Sequence, residues 1–164
     1  MSILNPRRGQ SRRRPRSTRT SLLSVAIIAS LGSIATAQNA GSFAEKIGNT
    51  TAFEEPASTY LHCMVLLTAY DSIPEAVAGL DTGMVKTIFG LSKEEIGAAV
   101  TASKGYADAF SAKIATLDPP LSAEQQLSYT GEFNTVMSSD MAAMLASPDH
   151  ERCLSYADEH GITP

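Results

Sequence analysis

The sequence predicts an all-α fold, a single-domain antiparallel bundle of about four main helices held together by one disulfide. Two capping boxes, in which Ser92 is followed by Glu95 and Ser122 by Gln125, mark the starts of two helices. After each box, apolar residues recur at steps of three and four, the period of a buried helix face. No stretch alternates apolar and polar residues for long enough to predict a strand.

The first 37 residues predict a cleavable signal peptide. They contain seven arginines, all of which precede a short apolar stretch from Leu22 to Ile34, and they contain no acidic residue. The small residues Ala35-Thr36-Ala37 follow the stretch, as a signal-peptidase cleavage site requires. A membrane span needs about 20 apolar residues, so this stretch is shorter than we expect of one. The alternatives are an uncleaved anchor and an organellar transit peptide, and the pair Arg12-Arg13 leaves a twin-arginine route beside the preferred general secretory one. We therefore expect a periplasmic or secreted protein of a bacterial envelope, without a stable membrane anchor after cleavage.

Removal of residues 1–37 leaves an acidic protein. Seven of the 13 basic residues lie in that segment, so six remain against 17 acidic residues, a formal charge of −11 over 127 residues. Such a surface repels nucleic-acid phosphates and anionic lipid headgroups, and it attracts cationic partners or metal ions. We expect no nucleic-acid partner. Solubility alone is the other explanation of the charge.

The mature chain divides into a polar lead-in, residues 38–55, and a helical domain, residues 56–164. Pro56 suits the first position of a helix, where its missing N–H is not needed. From Tyr60 to Tyr70 the chain is apolar on nearly every side, with His62 a polar exception. A helix of that composition is buried on most faces, so we expect it at the centre of the domain.

Residues 71–90 are interrupted by Pro74 and by three glycines. Both residue types disfavour long helices. We therefore predict two brief helices here, Glu75 to Leu80 and Thr82 to Phe89, joined by turns.

Two long helices follow. The first is predicted from Lys93 to about Leu117, where Asp118-Pro119-Pro120 stops it. The second begins after Ser122 and ends near Ala146. Its inner face is expected to carry Phe133, Met137, Met141 and Met144.

The last helix and the two cysteines complete the fold. Ser147-Pro148-Asp149 predicts a helix start and Gly161 its end. Cys63 and Cys153 are 90 positions apart, and an even count without a CxxC pair in an oxidising compartment indicates a structural disulfide. A bridge over so long a loop stabilises a fold by about 4 to 5 kcal/mol in the chain-entropy model. The alternatives are two free thiols or a metal-binding pair.

The sequence contains no phosphate-binding glycine loop, no serine elbow, no haem motif and no zinc-protease helix. His62 and Cys63 are adjacent, so on a helix their side chains point about 100° apart and do not form a nucleophile and base pair. We expect no catalytic residues, no cofactor and no enzymatic activity.

A periplasmic copper or zinc protein is the alternative hypothesis. Imidazole suits both metals, and thioether sulfur suits Cu(I). The candidate ligands are His62, His150, His160, Met137, Met141 and Met144. Methionines at helical spacing also fill gaps in cores, and a disulfide would remove both thiolates from coordination. We therefore favour a non-enzymatic binding or interaction module whose partner is a protein or a basic peptide.

Overall fold

A computed structural model of the chain describes residues 41–164, so the predicted signal peptide lies outside the described residues. Of these residues 71% are helical and none is in a strand, which confirms the all-α prediction. The helices are α1 (Phe43–Lys46), α2 (Pro56–Val77), α3 (Thr82–Phe89), α4 (Lys93–Ser103), α5 (Tyr106–Ile114), α6 (Ala123–Ser139), α7 (Met141–Ala146) and α8 (Asp149–Glu159). A bundle of about four main helices is not confirmed, because both predicted long helices are divided.

Helix α2 lies at the centre of the domain and contacts α4, α5, α6 and α8. Leu66 and Leu67 in its middle are fully buried, as are His62 and Cys63 one turn earlier. A leucine side chain buried from water contributes about 1.5 to 3 kcal/mol, so an apolar helix of this kind is most stable when surrounded. The sequence predicted this central position.

The helix break predicted at Pro74 does not occur. Helix α2 continues through Pro74 to Val77, so the separate helix predicted at residues 75–80 was wrong, whereas Thr82–Phe89 forms α3 as predicted. Pro74 is exposed, while Ile73 and Val77 are buried in the core. Packing of these flanking residues keeps the chain helical although proline lacks an N–H and crowds the preceding turn.

The predicted helix 93–117 is divided into α4 and α5 at Lys104 and Gly105. Gly105 has a φ of +82°, in the left-handed region that favours glycine and ends a helix. A Cβ at this position would lie 2.6 Å from the Cβ of Pro164, so the carboxyl-terminal segment also packs closely here. Apolar periodicity continued across this point and concealed the turn.

The second predicted long helix is divided at Asp140, whose φ of −150° and ψ of 58° are not helical. The Asp140 side chain accepts a hydrogen bond from Ala143 N at 3.0 Å and so caps α7. Lys46 Nζ donates to the same carboxylate at 3.0 Å, and this hydrogen bond is the main cause of a lowered Asp140 pKa. The predicted capping boxes at Ser92 and Ser122 are both present.

The lead-in, from residue 41 onward, packs against the helices. Phe43 of α1 is fully buried, and its ring meets that of Phe133 edge-on, with centroids 5.2 Å apart. Near the other end of the chain, α8 begins at Asp149, within the helix start predicted at Ser147-Pro148-Asp149. The sulfur atoms of Cys63 and Cys153 are 2.04 Å apart, at disulfide distance, and join α2 to α8. Within residues 41–164, no helix combines the length and the apolar character that crossing a membrane requires.

Candidate functional site

The carboxylate of Asp149, the first residue of α8, accepts more hydrogen bonds than any other buried side chain described here. It is fully buried. Its Oδ2 accepts from the Ser42 hydroxyl at 2.9 Å, from the Ala44 backbone N–H at 2.8 Å and from His62 Nε2 at 3.1 Å. We refer to Ser42, Ala44, His62 and Asp149 as the Asp149 network. It connects α1 and the residue before it to α2 and α8.

The Asp149 carboxylate is held in its ionised form. Burial raises its pKa, but hydrogen bonds from His62, Ala44 and Ser42 lower it, and the lowering effects prevail. The second oxygen, Oδ1, has no hydrogen-bond partner among residues 41–164 and lies 3.6 Å from Arg152 Nη1. One carboxylate oxygen is therefore saturated, while the other faces only a half-exposed guanidinium.

His62 extends this network towards α6. Its Nδ1 lies 2.6 Å from the Tyr129 hydroxyl, to which Asn49 Nδ2 donates at 3.2 Å. Because ionised Asp149 can only accept, His62 Nε2 carries a hydrogen and donates it. Asn49 donates to the Tyr129 oxygen, which leaves the Tyr129 O–H to donate to His62 Nδ1. Both ring nitrogens of His62 and the Tyr129 hydroxyl then have hydrogen-bond partners.

A carboxylate, an imidazole and a hydroxyl in series can activate a nucleophile when the hydroxyl loses its proton readily. Here burial raises the pKa of Tyr129, so its phenol stays protonated at neutral pH and acts as a hydrogen-bond donor. His62 has no exposed surface with which to meet a substrate. The series therefore fixes the relative positions of α2, α6 and α8.

The second buried histidine, His150, lies in a different polar environment. Ser103 Oγ donates to the Ala99 carbonyl at 2.7 Å and lies 2.6 Å from His150 Nε2. Since the hydroxyl gives its hydrogen to Ala99, His150 Nε2 is the donor to Ser103. The imidazole stacks on Tyr70 with centroids 4.4 Å apart. Burial lowers the pKa of His150 and raises that of Tyr70, which keeps both rings uncharged.

The third histidine, His160, is exposed. It stacks on Tyr156 with centroids 3.9 Å apart, and its Nδ1 lies 2.9 Å from the Tyr156 carbonyl oxygen. The three histidines thus have separate hydrogen-bond partners. Across residues 41–164, no group of three or more histidine, cysteine, aspartate and glutamate side chains is placed to hold a metal ion.

The methionine stripe, Met137, Met141 and Met144, faces the core. Met144 is fully buried, and Met137 and Met141 are partly buried against the core cluster. The stripe therefore fills space between helices, as methionines at helical spacing commonly do.

Two shallow grooves open on the surface. The first, which we call the α8 groove, has a volume of about 400 Å³. It is lined by Phe53, Pro148, Glu151, Arg152, Ser155, Tyr156 and Glu159. The second, the α2–α6 groove, has a volume of about 510 Å³ and includes three glutamates and the Tyr129 ring among its walls. Its glutamates are Glu55, Glu124 and Glu132. Both grooves therefore combine carboxylates with aromatic surface.

Sequence reasoning placed the two cysteines correctly as a pair but missed the role of Asp149. We interpreted Asp149 as an acid that begins a helix, although it lies beside Ser42 and His62, which are more than 80 positions away in the chain. One signal was present. A lone histidine in the apolar stretch 60–70 must find a hydrogen-bond partner when that helix is buried, and the acid after Pro148 was a candidate.

The chain was compared with protein-family models, with curated proteins and with solved structures, and no match was found in any of the three.

Proposed function

We propose that this protein is an exported, non-enzymatic binding module that recognises a basic protein or peptide in the periplasm or outside the cell. The surface charge carries the proposal. Of the 17 acidic residues, Asp149 is the one that is buried within residues 41–164. The other sixteen lie at or near the surface, where they can face a partner.

Most of this negative charge is not neutralised within the domain. Ion pairs among the described residues involve two of the acidic side chains, Asp140 with Lys46 and Asp149 with His62 and Arg152. Fifteen acids make no ion pair with another residue of 41–164. Unpaired surface charge of one sign raises the rate at which a partner of opposite charge is captured, and it discriminates against acidic partners.

The interior supports a binding role over a catalytic one. The three donors of the Asp149 network are engaged with Asp149 Oδ2, and His62 Nδ1 is engaged with Tyr129. At the second site, His150 Nε2 is engaged with Ser103. Groups that are fully engaged in holding helices together are not free to react. A rigid helical scaffold that presents carboxylates on its surface is suited to recognition.

The direct test is capture of a partner by residues 38–164. Tagged protein, folded with its disulfide, is incubated with an envelope extract of the native host at low salt and eluted with a salt gradient. We expect a stoichiometric basic partner that is released as ionic strength rises, because salt screens exposed charges over about 10 Å at 0.1 M. Repeated capture of nothing, or of a partner whose binding is insensitive to salt, would contradict the proposal.

A matched pair of variants controls for non-specific charge effects. Glu54→Gln with Glu132→Gln removes two exposed negative charges and should weaken capture several-fold, with the midpoint of elution moving to lower salt. Lys104→Gln removes an exposed positive charge instead and should leave capture unchanged or strengthen it. Equal weakening by both changes would point to lost folding, which circular dichroism would reveal.

A further inference from the structure

We infer that the α8 groove binds an arginine side chain of the basic partner, and that the domain's own Arg152 occupies this place until the partner arrives. This inference rests on the proposed function and names the site where the partner is recognised. Arg152, Phe53 and the unpaired oxygen of Asp149 carry it.

The first observation is the orphaned oxygen. Asp149 Oδ1 is buried on a side chain with no exposed surface, and it has no hydrogen-bond partner among the described residues. Its nearest cation, Arg152 Nη1, is 3.6 Å away, too far for a hydrogen bond. A buried carboxylate oxygen without a donor is unfavourable, so a cation placed closer to it would be bound. Arg152 itself lines the α8 groove, so the cation nearest to Oδ1 belongs to a groove residue.

The second observation is that this guanidinium is stacked on an aromatic face. Arg152 Cζ lies 3.9 Å from the centroid of the Phe53 ring, the geometry of a cation–π contact. The Arg152 side chain is nevertheless 46% exposed. A long, half-exposed side chain can rotate away from the ring at low cost, whereas Phe53 and Asp149 are held by the fold. The ring and the carboxylate therefore form a preformed seat for a planar cation.

The third observation is the charge of the groove walls. Glu151 and Glu159 line the groove and are exposed, and Tyr156 adds a second aromatic surface. An arginine from a partner that displaced Arg152 would meet the Phe53 face and these two carboxylates, at the place from which Arg152 Nη1 now lies 3.6 Å from Asp149 Oδ1. A guanidinium is favoured over an ammonium because it stacks on a ring and donates hydrogen bonds in the same plane.

Displacement of Arg152 by the partner's arginine predicts a result that a surface ion pair between Arg152 and the partner would not give. If Arg152 competes with the partner's arginine, then removing its charge should strengthen binding. Arg152→Met removes the guanidinium, so no cation of the domain itself then competes for the seat. Against a blocked glycine pentapeptide with one central arginine, we expect Arg152→Met to bind about tenfold more tightly than the unaltered protein. The citrulline version of the same peptide, which is neutral, should bind neither protein measurably.

Two further variants locate the seat. Phe53→Leu added to Arg152→Met should cancel the gain, because it removes the aromatic face. Glu151→Gln with Glu159→Gln, made with Arg152 intact, should weaken peptide binding about threefold. Glu94→Gln, an exposed glutamate on α4, is the matched control and should change nothing. Calorimetric titration measures each affinity, and thermal unfolding verifies that each variant is folded.

The outcomes separate the two proposals. Tighter arginine binding by Arg152→Met, lost again with Phe53→Leu, supports the seat. Unchanged or weaker binding by a folded Arg152→Met overturns it, even if the protein still captures a basic partner in a salt-dependent way. If Arg152→Met does not fold, the groove glutamates decide, since no effect of Glu151→Gln with Glu159→Gln also overturns the seat. Failure of partner capture with intact arginine-peptide binding would instead contradict the wider function.

Discussion

The two buried histidines of this domain, His62 and His150, differ in what they hold. His62 has a hydrogen-bond partner on each ring nitrogen, one of them the ionised carboxylate of Asp149, and connects α2 to α6 and α8. His150 has one side-chain hydrogen bond, to Ser103, and otherwise depends on stacking against Tyr70. The difference shows how a small domain can use the same residue type as a connector in one place and as a flat, mostly apolar filler in another.

Replacing each histidine by phenylalanine should give the largest contrast. His62→Phe removes a donor to a buried charge and leaves the Tyr129 hydroxyl without its acceptor, so we expect a loss of about 3 kcal/mol or more in the free energy of unfolding. His150→Phe keeps the stack on Tyr70, and Ser103 still donates to Ala99, so we expect a loss of about 1 kcal/mol or less. Urea denaturation of the two variants measures the difference. Equal losses would remove the distinction between the two sites.

Acid should next destabilise the two sites in separate pH ranges. The pKa of His150 is lowered by burial, so the unfolded state binds a proton first, and stability is complete above about pH 6.5 and falls as pH drops below it. The pKa of Asp149 is also lowered, so its contribution is present above about pH 4 and is lost as pH falls through the folded-state value. The urea concentration at the unfolding midpoint, measured from pH 8 to pH 3, should show both declines in stability.

Two variants identify the group that causes each decline in stability. His150→Phe should abolish the decline that begins near pH 6.5, and Asp149→Asn should flatten the decline below about pH 4 while lowering stability at neutral pH. A decline that is unchanged in the corresponding variant would show that another group causes it.

The last expected effect concerns the turn that places Ser103 beside His150. Ser103 is the last residue of α4, and Gly105 follows with its positive φ and its contact with Pro164. Gly105→Ala should cost about 1 to 3 kcal/mol. Gly97→Ala is the matched control, because Gly97 lies inside α4 with no atom within 4 Å of an added Cβ, and it should stabilise by about 0.5 to 1 kcal/mol. Similar signs for both changes would show that the turn does not depend on glycine.

Much of the fold could be predicted because its signals are local. The capping boxes at Ser92 and Ser122 and the apolar stretch 60–70 each concern residues within one or two helical turns, and the structure has helices there. The breaks at Gly105 and Asp140 were missed because the apolar period continues across them. At Asp140 a side chain from another segment, Lys46, meets the break.

The candidate site was less predictable because its contacts join residues that are far apart in the chain. The three donors to Asp149 Oδ2 lie 87 to 107 positions away, and their meeting depends on how α1, α2 and α8 pack. The orphaned Oδ1 and the Arg152 stack also appear only in three dimensions. Sequence could supply the net charge and the cysteine pair, but not which acid would be buried.

The contact between Asn49 and Tyr129 has a consequence for making this protein in a eukaryotic cell. Asn49-Thr50-Thr51 is an acceptor sequence for N-linked sugar, and the side-chain nitrogen that would carry the glycan is the one that donates to Tyr129. The carbonyl oxygen of the same amide accepts from Ser58 at 2.6 Å. A sugar attached during translocation would therefore separate the lead-in from α6 before the domain could close, so material for experiment is best produced where oligosaccharyltransferase is absent.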